Sequence, residues 1–165
     1  EEWDMEEMKW EDGRKFRTFN VIDDYNREAL MVEPSYSLPA AKVVRLLEVI
    51  VSKRGYPEMI RVDNGPEFIS GTFINWAKEH GVALHHIQPG KPAQNGLVER
   101  FNRTYREDIL DMNIFRHLQE VRAITRGWLK MYNEDRPHES LAGLAPMAFV
   151  EFRKDKMQLE NSTLK

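Results

Sequence analysis

The chain of 165 residues has no cysteine, which excludes disulfides and thiolate zinc sites and favours a reducing compartment. No apolar run is long enough to cross a bilayer, and the acidic N-terminus lacks the basic-then-apolar order of a secretory signal. A soluble, cytoplasmic protein is expected. Internal repeats and low-complexity tracts are also missing, and the length suits about one domain with a core that needs no staples. Strong net charge is absent too: the total is −3, which at first sight argues against a nucleic-acid partner.

The distribution of that charge changes its meaning. Residues 1–12 hold seven acidic side chains against Lys9 alone, a net −6, which leaves +3 for the remainder. Lys91, Arg100, Arg103 and Arg106 gather in one segment, where they can neutralise phosphates and release counterions. The alternative for any one of them is an ordinary solvated helix face.

Hydrophobic periodicity and turn signals predict an α/β chain. Asp12-Gly13 marks a hairpin between strands at 2–10 and 15–22, Asp23 to Asn26 reads as the next turn, and 28–35 is a third strand. Apolar residues at helical spacing from Val43 to Val51 predict a helix over 39–54, stopped by Gly55 and Pro57. A short buried strand at 59–62 delivers Asp63. A helix from Pro66 to His80, a strand at 82–87, helices at 93–112 and 115–133 and a short segment near 146–153 complete the order. The expected architecture is a five-stranded mixed sheet, an antiparallel three-strand meander plus two further strands, flanked by helices. Residues 1–153 form the domain and 154–165 a polar, frayed tail.

Two carboxylates stand in dense local motifs: Asp63 in Val62-Asp63-Asn64-Gly65-Pro66-Glu67-Phe68, and Glu99 in Asn95-Gly96-Leu97-Val98-Glu99-Arg100-Phe101-Asn102, with 35 residues between them. An acidic residue closing a strand and another on a later helix can converge on divalent cations, which prefer hard oxygen ligands. Taken singly, Asp63 beside Asn64-Gly65 is also what a turn residue or helix cap looks like, and Glu99 can be a solvated partner of Arg103. Against the second reading, Asn95, Glu99, Asn102 and Arg106 share a polar stripe while Leu97, Phe101 and Tyr105 face elsewhere. A third carboxylate is expected upstream, with Asp4 the best candidate. Asp23 and Asp24 are rivals whose position suits a chain reversal better, and His85 and His86, adjacent on a strand, point to opposite faces and cannot share an ion.

The run Asp63 to Phe68, then Gln88-Pro89-Gly90-Lys91-Pro92 with Gln94-Asn95, Glu99 to Arg103, Tyr105-Arg106-Glu107, Tyr132-Asn133 and Arg136-Pro137-His138 with Leu141 and Pro146 resembles the catalytic domain of IS-three family bacterial insertion-sequence transposases, relatives of retroviral integrases. The resemblance covers nearly the whole chain. It implies a ribonuclease-H-like fold and an Asp-Asp-Glu site binding two Mg²⁺ ions, with Mn²⁺ as a substitute. By motif, Asp63 and Glu99 are the second and third ligands, and counting back from Gly13 places the first at Asp4. The implied chemistry is metal-dependent cleavage and joining of DNA strands without a protein-linked intermediate. Lys91, Arg100, Arg103 and Arg106 would hold backbone phosphates, and Gln94 and Asn95 would position a strand or ligand. Implied partners are transposon ends and target DNA, with self-association in the full complex, in the bacterial cytoplasm.

The opening strand departs from the family pattern, in which the Trp stands about three residues before the Asp; here Trp3 is adjacent and Glu6 and Glu7 follow. The apolar residues switch parity near Glu6-Glu7, so a bulge is expected there, and Glu2 or Glu6 can replace Asp4. This departure motivates a different class of function, a non-catalytic DNA-binding or assembly module with a degenerate site; a ribonuclease-H-like nuclease that never joins strands is a third reading. The family's N-terminal helical region for end recognition has no counterpart in the sequence, so the expected DNA binding is weak, salt-sensitive and largely non-specific.

Overall fold

Trp3 and Met5 explain why so acidic a segment becomes a strand: both are fully buried at the centre of the sheet. A computed structural model gives the fold. It describes residues 2–12 and 14–163, and at Glu2, Asp4, residues 6–12, Arg14, Lys15, Pro92 and Thr163 it describes the backbone only. The elements are β1 (Glu2–Asp12), β2 (Arg14–Asp23), β3 (Ala29–Ser35), α1 (Ala40–Arg54), β4 (Met59–Val62), α2 (Gly71–Glu79), β5 (Ala83–His86), α3 (Gly96–Tyr105), α4 (Leu118–Glu134) and α5 (Pro146–Thr163).

The five strands form one sheet in the order β3-β2-β1-β4-β5. The β1–β2 and β2–β3 pairings are antiparallel, whereas β4 pairs in parallel with both β1 and β5. The expected bulge near Glu6-Glu7 is absent: the β1–β2 register runs unbroken from Trp3↔Asp23 to Asp12↔Arg14. The irregularity lies one strand over, between Val21 and Ile22 in the pairing of β2 with β3. Gly13, the tip of the expected hairpin turn, lies outside the described residues.

Strand alternation sorts the core into two halves. Trp3, Met5, Phe19, Val21, Ile60 and Val62 pack against α1, α2 and Phe68 on one face. On the other, Phe16, Ile22 and Val32 meet Phe101 and Tyr105 of α3 and Trp128 of α4. A buried polar pin joins that second layer to the sheet, where Asn20 of β2 donates from Nδ2 to Oδ1 of Asn102 on α3.

Several helix boundaries differ from the periodicity reading, each for a local reason. α2 starts at Gly71 rather than Pro66, because the Phe68 and Ile69 N–H groups close turns onto the Gly65 carbonyl and Ser70 caps the helix by accepting from Phe73 N–H. The single helix expected over 93–112 is three pieces: a 3₁₀ turn at Pro92–Asn95, α3, and a π turn at Arg106–Leu110. The frayed tail expected at 154–165 is helical through Thr163. Its Lys, Met, Gln, Leu and Glu are good helix formers with no Gly or Pro to stop them, and Phe149 packs edge-on against Tyr25 nearer its start.

The turn after β2 is built on ion pairs. Asp23, 1% exposed, accepts from Tyr25 N–H at 2.8 Å and from Arg54 of α1 at 2.9 Å, and Arg54 also pairs with Glu28. Asp24 accepts from Arg27 at 2.6 Å. Both aspartates are therefore committed to the chain reversal. Removing the cation from a buried carboxylate is costly, so Arg54→Ala is expected to lower stability by about 3 kcal/mol in urea denaturation; a loss under ~1 kcal/mol would show that this pairing contributes as little as a surface pair.

Candidate active site

Asp63 follows the last residue of β4, at the carboxyl end of a parallel strand, where open α/β sheets place their ligands. The loop after it is tied down on two sides. Asp63 Oδ1 accepts from Gly65 N–H at 2.8 Å, and Asn64 Nδ2 donates to the Ile87 carbonyl at 2.7 Å, fixing the turn to the end of β5. Burial holds the Asp63 carboxyl above its ordinary range, against the downward pull of the Gly65 N–H and of His86. His86 is itself held by donating from Nε2 to the Phe68 carbonyl at 3.1 Å, while His85 is exposed.

A second carboxylate crowds the same turn. A Cβ at Gly65 would run into Oε1 of Glu67 and lie 3.0 Å from Oδ1 of Asp63, so the two acidic side chains flank one glycine. Glu67 is only 7% exposed. In the sequence Glu67 is one letter of the Asp63 motif, and its signal is the glycine standing between two carboxylates, where a side chain would collide.

Glu99 stands exposed in the first turn of α3, where the positive end of the helix dipole favours a carboxylate. The adjoining face of that helix, with Val98, Phe101, Asn102 and Tyr105, is buried against β1, β2 and α4. Asp4 lies on β1, the central strand, in register with Ile22 of β2 on one side and Arg61 of β4 on the other. Its side chain lies outside the described residues. Among the described residues, no three His, Asp or Glu side chains cluster closely enough to hold an ion.

The basic and amide residues divide. Lys91 is exposed in the loop before α3, and Gln94 accepts from Gln88 N–H at 3.0 Å, closing that loop on itself. Asn95 is buried at 4% exposure. Arg103 and Arg106 follow Glu99 at helical spacings of four and seven, on its flank. Arg100 lies on the other flank, beside Leu97 and Thr104 at the wall of a cavity.

Residues 2–92 match the Integrase core domain family, and residues 80–146 match a second family of the same description. The chain belongs to the integrase core domain family. This integrase core is 38% identical over 138 residues to an uncharacterized protein of insertion element IS476 from Xanthomonas euvesicatoria, covering 84% of the chain and 40% of that relative. It is 39% identical over 138 residues to a protein of IS407 from Burkholderia multivorans, covering 84% and 50%. The chain thus spans about half the length, or less, of these curated relatives. Among solved structures, the HTLV-2 integrase catalytic core in complex with magnesium superposes with a TM-score of 0.68 at 18% identity, over 90% of this chain and 94% of that one. The BIV integrase core superposes at 0.62 and 19% identity, over 94% and 97%. The fold is the α/β, ribonuclease-H-like fold of retroviral integrase cores. No helix among the described residues is long and apolar enough to cross a membrane.

Two outcomes follow for this integrase core. Because burial raises the Asp63 carboxyl, its ionised form opposes folding at pH values above that raised value, and this cost disappears as pH falls and the group protonates. Asp63→Asn keeps an acceptor for Gly65 N–H, so thermal melts without metal should show it more stable than wild type at pH 7, with the gap closing near pH 4, around the ordinary carboxylate value. Gly65→Ala, which drives a methyl into Glu67, should lose about 1–3 kcal/mol in the same melts; an unchanged midpoint would mean that the turn can open.

Proposed function

We propose that the chain is the catalytic core of a DNA transposase, cleaving DNA strands and joining them at a site made of Asp4, Asp63 and Glu99. One observation carries the reading: Asp63 ends a parallel strand beside β1 with a carboxylate whose burial cost its described partners, one amide N–H and His86, leave in place. A divalent cation would relieve that cost, and an all-carboxylate donor set suits Mg²⁺, with Mn²⁺ as substitute.

Cross-strand neighbours in a sheet share a face. The register position of Asp4 therefore belongs with Ile22 and Arg61 to the side on which α3 packs, the side that carries Glu99. Asp4, Asp63 and Glu99 would hold two magnesium ions there, which would supply Lewis acidity for the phosphodiester chemistry. The chain's own residues do the positioning. Gly65 N–H orients the Asp63 carboxylate, and α3, pinned by Asn20 to Asn102, sets the position of Glu99. Lys91, Arg103 and Arg106 hold backbone phosphates along the Glu99 flank, Arg100 reaches a strand from the other flank, and Gln94 and Asn95 shape the loop that meets the DNA. The attacking group is water in cleavage and a DNA 3′-hydroxyl in joining, so no covalent protein–DNA intermediate forms.

The similarity to insertion-element proteins supports this reading, as does InsK of IS150 from Escherichia coli, a putative transposase 27% identical over 143 residues. Self-association and recognition of transposon ends belong to the whole protein of which such a core is a part. The test is Mg²⁺-dependent strand joining by the full-length protein. Asp63→Asn and Glu99→Gln, each with unchanged circular dichroism, should reduce it by about 10³-fold or more, the scale of several kcal/mol of metal-borne stabilisation. Joining that survives either change contradicts the assignment. Cleavage without joining in the wild type would leave a nuclease, and neither activity a DNA-binding module.

A further inference from the structure

Arg136-Pro137-His138 has no part in the site around Asp63, yet it forms one wall of a cavity of about 660 Å³. The other walls include Gln94 and Gly96 where α3 begins, Leu97, Arg100 and Thr104 farther along it, the turn between β2 and β3 at Asp24 and Arg27, and Arg61 of β4. At 100° per residue, Leu97, Arg100 and Thr104 lie on the flank of α3 turned away from Glu99, Arg103 and Arg106. The cavity therefore lies on the other flank of α3 from Glu99 and adjoins the carboxylate site through Arg61 and Gln94. Arg61 links the two, since it stands two residues before Asp63, about 7 Å along the strand, and pairs in register with Asp4.

The lining suits a phosphate carrying an aromatic or sugar group. Four arginines, Arg27, Arg61, Arg100 and Arg136, meet two acidic residues of the lining, Asp24 and Glu139. Arg27 is paired with Asp24 and Arg136 with Asp108, while Arg100 is exposed and has no ion pair among the described residues. The floor is aromatic: Phe101 meets Tyr132 edge-on at 5.1 Å between ring centres, and His138 sits against Tyr132, also at 5.1 Å. His138 Nε2 is buried and has no hydrogen-bond partner among the described residues. The arginines are felt at this floor. Burial lifts the Tyr132 hydroxyl to about 12 against the pull of Arg136, Arg27 and Arg100, and burial together with Arg136 and Arg27 holds His138 below its usual range.

We propose that this cavity is a second nucleic-acid site, which takes a phosphodiester of a DNA strand on the far side of α3 from Glu99. The phosphate sits against Arg100 and Arg27, and its sugar or base lies against the wall formed by Tyr132 and His138. The proposal rests on the chain being a DNA-handling core, and it adds where a strand passes after leaving the carboxylates.

The test adds charge instead of removing it, so misfolding cannot imitate the result. Glu139 is exposed at the cavity rim, and Glu79, exposed at the end of α2, is a charge-matched control. Binding of a fluorescent single-stranded oligonucleotide to the chain is followed against salt. Glu139→Lys should tighten binding several-fold and steepen the salt dependence by about 0.7 for one added phosphate contact, while Glu79→Lys leaves the slope unchanged. Equal effects of the two substitutions overturn the second site and leave the transposase reading standing; a wild-type chain that binds no DNA overturns both. In NMR, the His138 ring signals should move on titration with the oligonucleotide and stay fixed with inorganic phosphate at matched ionic strength. Movement with phosphate alone would reduce the cavity to a simple anion pocket and overturn the proposal.

Discussion

A carboxylate half removed from water at the end of a buried strand is the constraint on which the structure depends. β4 is four residues long and lies between β1 and β5, with Ile60 and Val62 fully buried. A strand held on both edges cannot slide to give Asp63 more solvent, because a one-residue slip would turn its apolar residues to the wrong face. The turn beyond it is equally fixed, by Gly65 N–H, by Asn64 to Ile87, and by the crowding of Glu67 against Gly65. The cost of ionising that carboxylate is therefore concentrated at one place, as is common at functional sites.

α3 turns this constraint into a two-sided device. Its buried face is aromatic and is anchored to the sheet by a hydrogen bond between the Asn20 and Asn102 side-chain amides. One flank carries Glu99 with Arg103 and Arg106, and the other carries Arg100 beside the arginine-lined cavity. The π turn after Tyr105 ends the helix before Asp108, which accepts from Trp128 and pairs with Arg136, so the loop bearing His138 is held relative to the same helix. A single rigid element thus positions both flanks.

Much of this was readable from the sequence where the information is local. Gly55 and Pro57 after an apolar helix and Asp12-Gly13 before the strand at 15–22 are short-range signals, and β2, α1 and β4 lie within one or two residues of their expected bounds. The reading faltered wherever a distant partner decides. Asn102 falls in the polar stripe with Glu99, yet it is buried on Asn20, 82 residues away. Periodicity cannot distinguish a solvated amide from one with a partner on another strand. Glu67 was overlooked because a buried carboxylate reads the same as an exposed one in a list of letters. The parity switch in β1 suggested a bulge, but the ladder stays regular. The tail at 154–163 looked frayed by composition, whereas helix propensity carries α5 through it.

Asp4 is the residue on which the proposed site turns, since the backbone register pairs it with Arg61, two residues before Asp63 on the neighbouring strand. The most direct measurement is a crystal structure of the chain soaked in Mn²⁺, with the ion located by its anomalous scattering. The account predicts manganese coordinated by the carboxylates of Asp4 and Asp63, on the face toward Glu99. Manganese absent from Asp63 at saturating concentration, or an Asp4 carboxylate turned to the α1 side of the sheet, would contradict it.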